Sequence, residues 1–91
     1  MHRIKFKPSD ALKEHLLSGG KVSRLEAQIL FGVPNLTAEI GRLKKAGFIL
    51  QRKNVPLAKV VRRINQVCIL QLPENLPARE IMVSEYWIDN I

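Results

Sequence analysis

Acidic residues are missing from the whole interval between Glu39 and Glu74, while Arg42, Lys44, Lys45, Arg52, Lys53, Lys59, Arg62 and Arg63 all fall inside it. Other absences are as informative. The 91-residue chain has one cysteine, Cys68, which excludes an internal disulfide, and with only His2 and His15 beside it a Cys/His zinc site lacks ligands. No apolar run approaches the roughly 20 residues that a bilayer crossing needs. The opening Met1-His2-Arg3-Ile4-Lys5-Phe6-Lys7 lacks the apolar stretch of a secretory signal, so a cytoplasmic protein is expected. No Ser/His/Asp order or paired-carboxylate arrangement is recognisable, and Gly19-Gly20 precedes Lys21 without the strand and spacing of a phosphate loop. The length admits one core and excludes a large enzyme fold; neither catalysis nor a cofactor is expected.

What is present is positive charge. Lys and Arg number 15 against 8 Asp and Glu, a formal charge of +7, with a sequence pI near 10.1. Such an excess points to a polyanionic partner, nucleic acid first. After Pro73 the sign reverses, with Glu74, Glu80, Glu85 and Asp89 against Arg79 alone. An asymmetry of this kind favours a directed binding face over charges that merely solvate helix surfaces.

The hydrophobic pattern divides the chain into short elements. Arg3, Lys5 and Lys7 alternate with Ile4 and Phe6, as in a short strand or arm that Pro8 interrupts. Ser9 is a candidate cap for a helix from Asp10 to Leu17 that buries Leu12 and Leu16, with Ala11 and His15 beside them, and Gly19-Gly20 ends it. Ser23-Arg24-Leu25-Glu26 is a capping box opening a second helix that ends near Phe31 at Gly32. Pro34 suits the first turn of a third helix, in which Val33, Leu36, Ile40 and Leu43 form one apolar stripe, and Ala46-Gly47 supplies a left-handed cap.

Phe48-Ile49-Leu50 then reads as a strand and Asn54-Val55-Pro56 as a turn. Leu57 to Asn65 fits a helix or one arm of a β-hairpin, with helix the preferred reading. Val67-Cys68-Ile69-Leu70 has strand length and could pair with Phe48 to Leu50; Cys68 there is a buried thiol. Pro73 and Pro77 bracket a loop. Ile81, Met82, Val83, Tyr86, Trp87 and Ile88 fit neither period, so the segment from Ala78 onward reads as a packing helix or a strand, with Trp87 filling the monomer core rather than anchoring a dimer.

This order of elements is that of a helix-turn-helix with a wing: a mainly α fold with a small β element, a three-helix core, wing strands and a C-terminal extension. The expected division is residues 1–72 as the domain and 73–91 as an extension that packs on it or mediates oligomerisation. On the third helix the face opposite the stripe carries Pro34, Asn35, Ala38, Gly41, Arg42 and Lys45. Ala38 and Gly41 permit close approach to a groove, Asn35 suits an adenine edge, and Arg42 suits guanine or phosphate. A mid-helix glycine costs about 1 kcal/mol relative to alanine, which makes Gly41 hard to justify otherwise. The competing explanation is that Ala38 and Gly41 contact another helix of the same fold, leaving Arg42 and Lys45 as solvated charges. Thr37 is placed to touch phosphate and Glu39 to pair with a neighbouring cation. Arg52 and Lys53 would sit at the wing, and Lys59, Arg62 and Arg63 would extend the same surface.

Ser23-Arg24-Leu25-Glu26-Ala27, Phe31-Gly32-Val33, Leu36-Thr37-Ala38-Glu39-Ile40, Arg42-Leu43 and Ala46-Gly47-Phe48-Ile49 together resemble the winged helix-turn-helix domains of small phage and prophage DNA-binding proteins. The likeness spans roughly residues 9 to 52 and rests on the order of the pieces, each of which is common. Such families include transcriptional regulators and excisionases, and the resemblance implies base contacts at Asn35, Ala38 and Arg42. The chain departs from that pattern after Asn54, where no short glycine-tipped wing follows; this suggests an added element, for assembly. The expectation is a double-stranded DNA-binding protein, nucleoid-associated when bound, that regulates transcription or recombination for a mobile element. About five phosphate contacts would give a log-log salt slope near -4.5, and a homodimer would need half-sites about 34 Å apart or a multiple. The alternatives are an excisionase-like architectural protein and a protein-interaction module using the apolar C-terminal segment. RNA is disfavoured by an aromatic content of 5%, mostly outside the basic block.

Overall fold

The computed structural model describes residues 7–89, so the arm read at Arg3 to Phe6 lies outside the described residues. The elements run α1 (Pro8–Leu17), β1 (Val22–Ser23), α2 (Arg24–Phe31), α3 (Leu36–Lys45), β2 (Leu50–Pro56), α4 (Leu57–Ile64) and β3 (Met82–Ile88). Among the described residues no helix is long and apolar enough to cross a membrane. The described residues are mainly helical, with a small antiparallel sheet in the order β1-β3-β2, which is the fold class expected from the sequence.

Local chemistry sets most boundaries. The α1 helix begins earlier than Asp10, because Pro8 has no amide hydrogen to leave unsatisfied and its ring holds a helical φ. Lys7 therefore stands at the cap position, and Ser9, expected to cap, instead donates its hydroxyl to Glu39 Oε1 at 3.1 Å. The capping box at α2 forms as read: Ser23 Oγ accepts from the Glu26 amide at 3.3 Å, and Glu26 Oε1 accepts from the Ser23 amide at 3.0 Å. At α3 the cap is Asn35, whose Oδ1 accepts from the Ala38 amide at 3.2 Å. Pro34 is thus outside the helix and not in its first turn; an asparagine side chain that satisfies an orphan amide outcompetes a proline that merely tolerates the position. Gly47, at φ 101°, ends α3 as expected. At Gly20 a Cβ would lie 2.4 Å from the His15 ring, which is held by the Lys21 carbonyl at 2.8 Å and leans on Phe31.

The second half of the chain departs furthest from its reading. The strand expected at Phe48 to Leu50 begins only at Leu50 and runs through Asn54-Val55-Pro56, the supposed turn. Helix is the outcome for Leu57 to Ile64, so the hairpin alternative falls. Val67 to Leu70 forms no strand. Its backbone turns back onto α4, with the Val67 and Cys68 amides donating to the Ile64 carbonyl at 2.9 and 3.0 Å and the Leu70 amide donating to Asn65 Oδ1 at 2.7 Å. These bonds satisfy the end of a helix that has no glycine stop. The partner of β2 is β3, which also pairs with the two-residue β1.

Being central, β3 is covered on both faces. Ile88 and Tyr86 share a face with Leu50, Arg52 and Val22, while Val83 and Glu85 share the other with Val55, Lys53 and Ser23. Against the first face pack Leu12 and Leu16 of α1 and Leu36, Ile40 and Leu43 of α3, with Ala27 and Val33. Against the second pack Val60 and Ile64 of α4, joined by Leu25, Leu30, Cys68 and Leu70.

One polar cluster stands within this packing. The Arg63 guanidinium donates from Nε to Glu26 Oε2 and from Nη1 to Glu85 Oε1, each at 2.8 Å, and from Nη2 to Glu26 Oε1. Hydrogen bonding to Glu26, reinforced by Glu85, outweighs the opposing effect of burial and raises the Arg63 pKa above its ordinary value. Removing Arg63 would strand two buried carboxylates, so Arg63→Ala should lower unfolding free energy by about 3–5 kcal/mol, whereas the exposed neighbour Arg62→Ala should change it by less than about 0.5 kcal/mol. Urea denaturation of the two variants checks the contrast, and equal effects would disprove it.

Candidate nucleic-acid interface

The apolar stripe of α3 is buried as read: Val33, Leu36, Ile40 and Leu43 all lie in the core. Anchoring that side turns the opposite one outward, with Ala38, Gly41, Arg42 and Lys45 along it. A Cβ built on Gly41 meets nothing within 4 Å, so among the described residues no other helix packs on this glycine. Ala38 is half-buried at the edge of a hollow of about 320 Å³ that Pro34, Asn35 and Arg42 share with Pro8, Ser9 and Glu39.

The other flank of α3 faces the sheet. Thr37, Gly41 and Lys44 line a depression of about 400 Å³ whose far wall is Leu50, Arg52 and Tyr86. Lys44 belongs to the basic block read from the sequence but not to the expected DNA contacts. It recurs with Thr37 and Gly41 at spacings of four and three, a stripe of its own, but nothing local says that β2 lies alongside. The depression thus brings the Arg52 guanidinium on the strand and the Lys44 ammonium on the helix to one opening.

Polar partners tune two of the outward residues. Arg42 is ion-paired to Glu39, as expected of that acid, and its side chain stays 68% exposed. Glu39 also accepts from Ser9, so the carboxylate holds the guanidinium near the helix without burying it. The Asn35 oxygen already accepts from the Ala38 amide, which fixes its direction and leaves one lone pair and the side-chain nitrogen for a partner.

The residues expected to form one DNA surface therefore divide. Thr37, Ala38, Gly41, Arg42, Lys45 and Arg52 gather around α3, with Asn35 at its start. Lys53 does not join them, because alternation along β2 puts it on the face opposite Arg52, paired in register with Glu85. Arg62 is exposed on α4, which packs against that other face. Arg63 is withdrawn from the surface altogether, its donors engaged by Glu26 and Glu85. No tight hairpin joins β2 to β3; α4 and the stretch after it, including the loop at Pro73 and Pro77, fill that place.

A family model described as a winged helix-turn-helix domain matches residues 9–68. No curated protein and no solved structure matches the chain. The matched residues hold α1 through α4 and the two outer strands; the central strand β3 follows them.

Because the Gly41 position is open, a methyl group there is a gain in helix propensity with no clash. Gly41→Ala should raise unfolding free energy by about 0.5–1 kcal/mol. A loss of stability in urea denaturation would show that the glycine serves internal packing instead.

Proposed function

The chain belongs to the winged helix-turn-helix family, and from that membership we propose that it binds double-stranded DNA sequence-specifically through α3, as a transcriptional regulator of a phage or other mobile element. The observation that carries this reading is the unfilled space over Gly41, flanked by Arg42, Lys44, Lys45 and Arg52. A helix that enters the major groove must bring its backbone close to the base edges, and small residues at Ala38 and Gly41 allow that. The surrounding cations then meet the phosphates on either side.

Roles follow from position. Lys44 and Arg52, on the two walls of the depression, are suited to one strand of the backbone, with Thr37 donating its hydroxyl beside them. Arg42, pre-set by Glu39, is the candidate for guanine, since a guanidinium fork matches the two acceptors on its major-groove edge. Asn35 offers its nitrogen to a phosphate or to a base acceptor. Lys45, at the outermost point of the helix, reaches whichever backbone lies nearest.

The interaction-module alternative loses support, because Ile88 lies in the core, Tyr86 packs against it, and β3 is the middle of the sheet. Trp87, however, expected to fill the core, is half-buried beneath Lys21 and belongs to neither core cluster. An excisionase-like role stays a second reading, favoured by the insertion of α4 where a plain wing would be; a DNA-bending assay separates it from a regulator that leaves its site straight.

Binding of labelled genomic fragments against random duplex tests the proposal. Three cationic phosphate contacts, from Lys44, Lys45 and Arg52, should give a log-log salt slope of about -2.7, its magnitude falling by roughly one with Lys44→Ala or Arg52→Ala. Gly41→Gln should weaken binding at least about tenfold by holding the helix off the groove, with the fold intact by circular dichroism. Unchanged affinity in all three variants would overturn the assignment to α3.

A further inference from the structure

The sheet separates the molecule's cations into two groups. Arg52 belongs with α3, but Lys53, next along the strand, projects from the face that α4 covers. Lys21, just before β1, joins that second face: its Nζ lies 3.9 Å from Glu85 Oε2 and 4.9 Å from the centre of the Trp87 ring. Lys59, on α4, lies 3.9 Å from the same oxygen. Arg62 is exposed on the same helix.

These charges are not neutralised where they stand. Glu85 is fully buried, and its Oε2 accepts no hydrogen bond, so one carboxylate is shared by Arg63 and two lysines that remain about half exposed, at 46% and 50%. Glu26 answers Arg63 alone. Of the other described acids, Asp89 accepts from Gln51 at the far end of β2, and Glu80 is exposed in the stretch bonded to the start of α4. A buried acid that holds lysines at its rim without accepting a hydrogen bond from them keeps ammonium groups at a surface while leaving their donors available to an outside anion.

We propose that this second face binds the phosphate backbone of another DNA duplex, without regard to base sequence, so that a single molecule bridges two duplex segments. The inference rests on the reading of α3 as the DNA-reading helix. It goes beyond it because the sheet lies between the two basic faces, with Lys53, Lys59 and Arg62 on the side away from α3. The chemistry favours a duplex over an acidic protein surface. No aromatic side chain centres the patch as one centres a protein interface, since its one ring, Trp87, lies under the Lys21 ammonium; the exposed apolar residues Val67 and Ile69 lie in the stretch after α4. Covering of that ring likewise removes the stacking platform that a single strand would need.

The test immobilises a duplex carrying a high-affinity fragment, loads it with the full chain and measures capture of a second, fluorescent random duplex. Wild-type protein should capture it, and the triple variant Lys53→Gln/Lys59→Gln/Arg62→Gln should bind the immobilised duplex within about threefold of wild type yet lose capture at least about tenfold. Capture that survives in the triple variant, including capture by a dimer seen on sedimentation, overturns the proposal. So does capture of a labelled RNA or acidic polypeptide in preference to duplex. If wild-type protein holds the first duplex and never captures a second, bridging fails while the role of α3 stands; if it does not hold the first, the proposed function itself fails.

Discussion

Three elements far apart in sequence are tied together by one guanidinium. Arg63, on α4, is gripped by Glu26 of α2 and Glu85 of β3. Burying such ions costs several kcal/mol each in lost hydration, and only near-complete hydrogen bonding offsets that. Bonds from Nε and both terminal nitrogens supply most of it, with Glu85 Oε2 alone left without a hydrogen bond among the buried side-chain oxygens of the cluster. What the cluster supplies is orientation more than net stability. It sets α4 against the sheet and the sheet against the helix-turn-helix, and it uses a glutamate that already closes the capping box of α2. A single side chain, Glu26, therefore fixes both where α2 begins and which way α4 lies.

With the scaffold set, α3 is left with one side to give to a partner. The geometry there is permissive by subtraction: a glycine and an alanine where larger residues would improve the helix, and cations displaced to the flanks. The ion pair with Glu39 limits the rotamers of Arg42 before any partner arrives, which reduces the entropy lost when it docks. Across the depression, Arg52 extends the same field from a different element, so the basic surface is built by the junction of helix and strand and not by α3 alone.

Much of this was legible in the residues, and the failures share a cause. The stripe through Val33, Leu36, Ile40 and Leu43, the Ser23 and Glu26 box and the Gly47 stop are signals written within a few residues, and each appears where the sequence puts it. The segment around Tyr86 matched neither period because β3 is covered on both sides, which removes the alternation that marks a half-exposed strand. Two-residue β1 is too short to carry any period. Val67 to Leu70 has the composition of a strand but spends its amides on the end of α4, a choice made by Ile64 and Asn65. Arg63 looked like one more member of a basic run because its acidic partners lie 37 and 22 residues away, and no local window contains them.

The pairing of Val22 with Tyr86 has a consequence for the life of the chain on the ribosome. Synthesis delivers α1, α2 and α3 first, then β2, and only much later the strand to which both outer strands must zip. Until Met82 to Ile88 has emerged, β1 and β2 are raw edges, and the Glu85 carboxylate that completes the grip on Arg63 has yet to be made. The nascent polypeptide therefore carries α3 before it has the frame that aims it, and closure waits on a contact of long sequence separation, the slow kind of folding step.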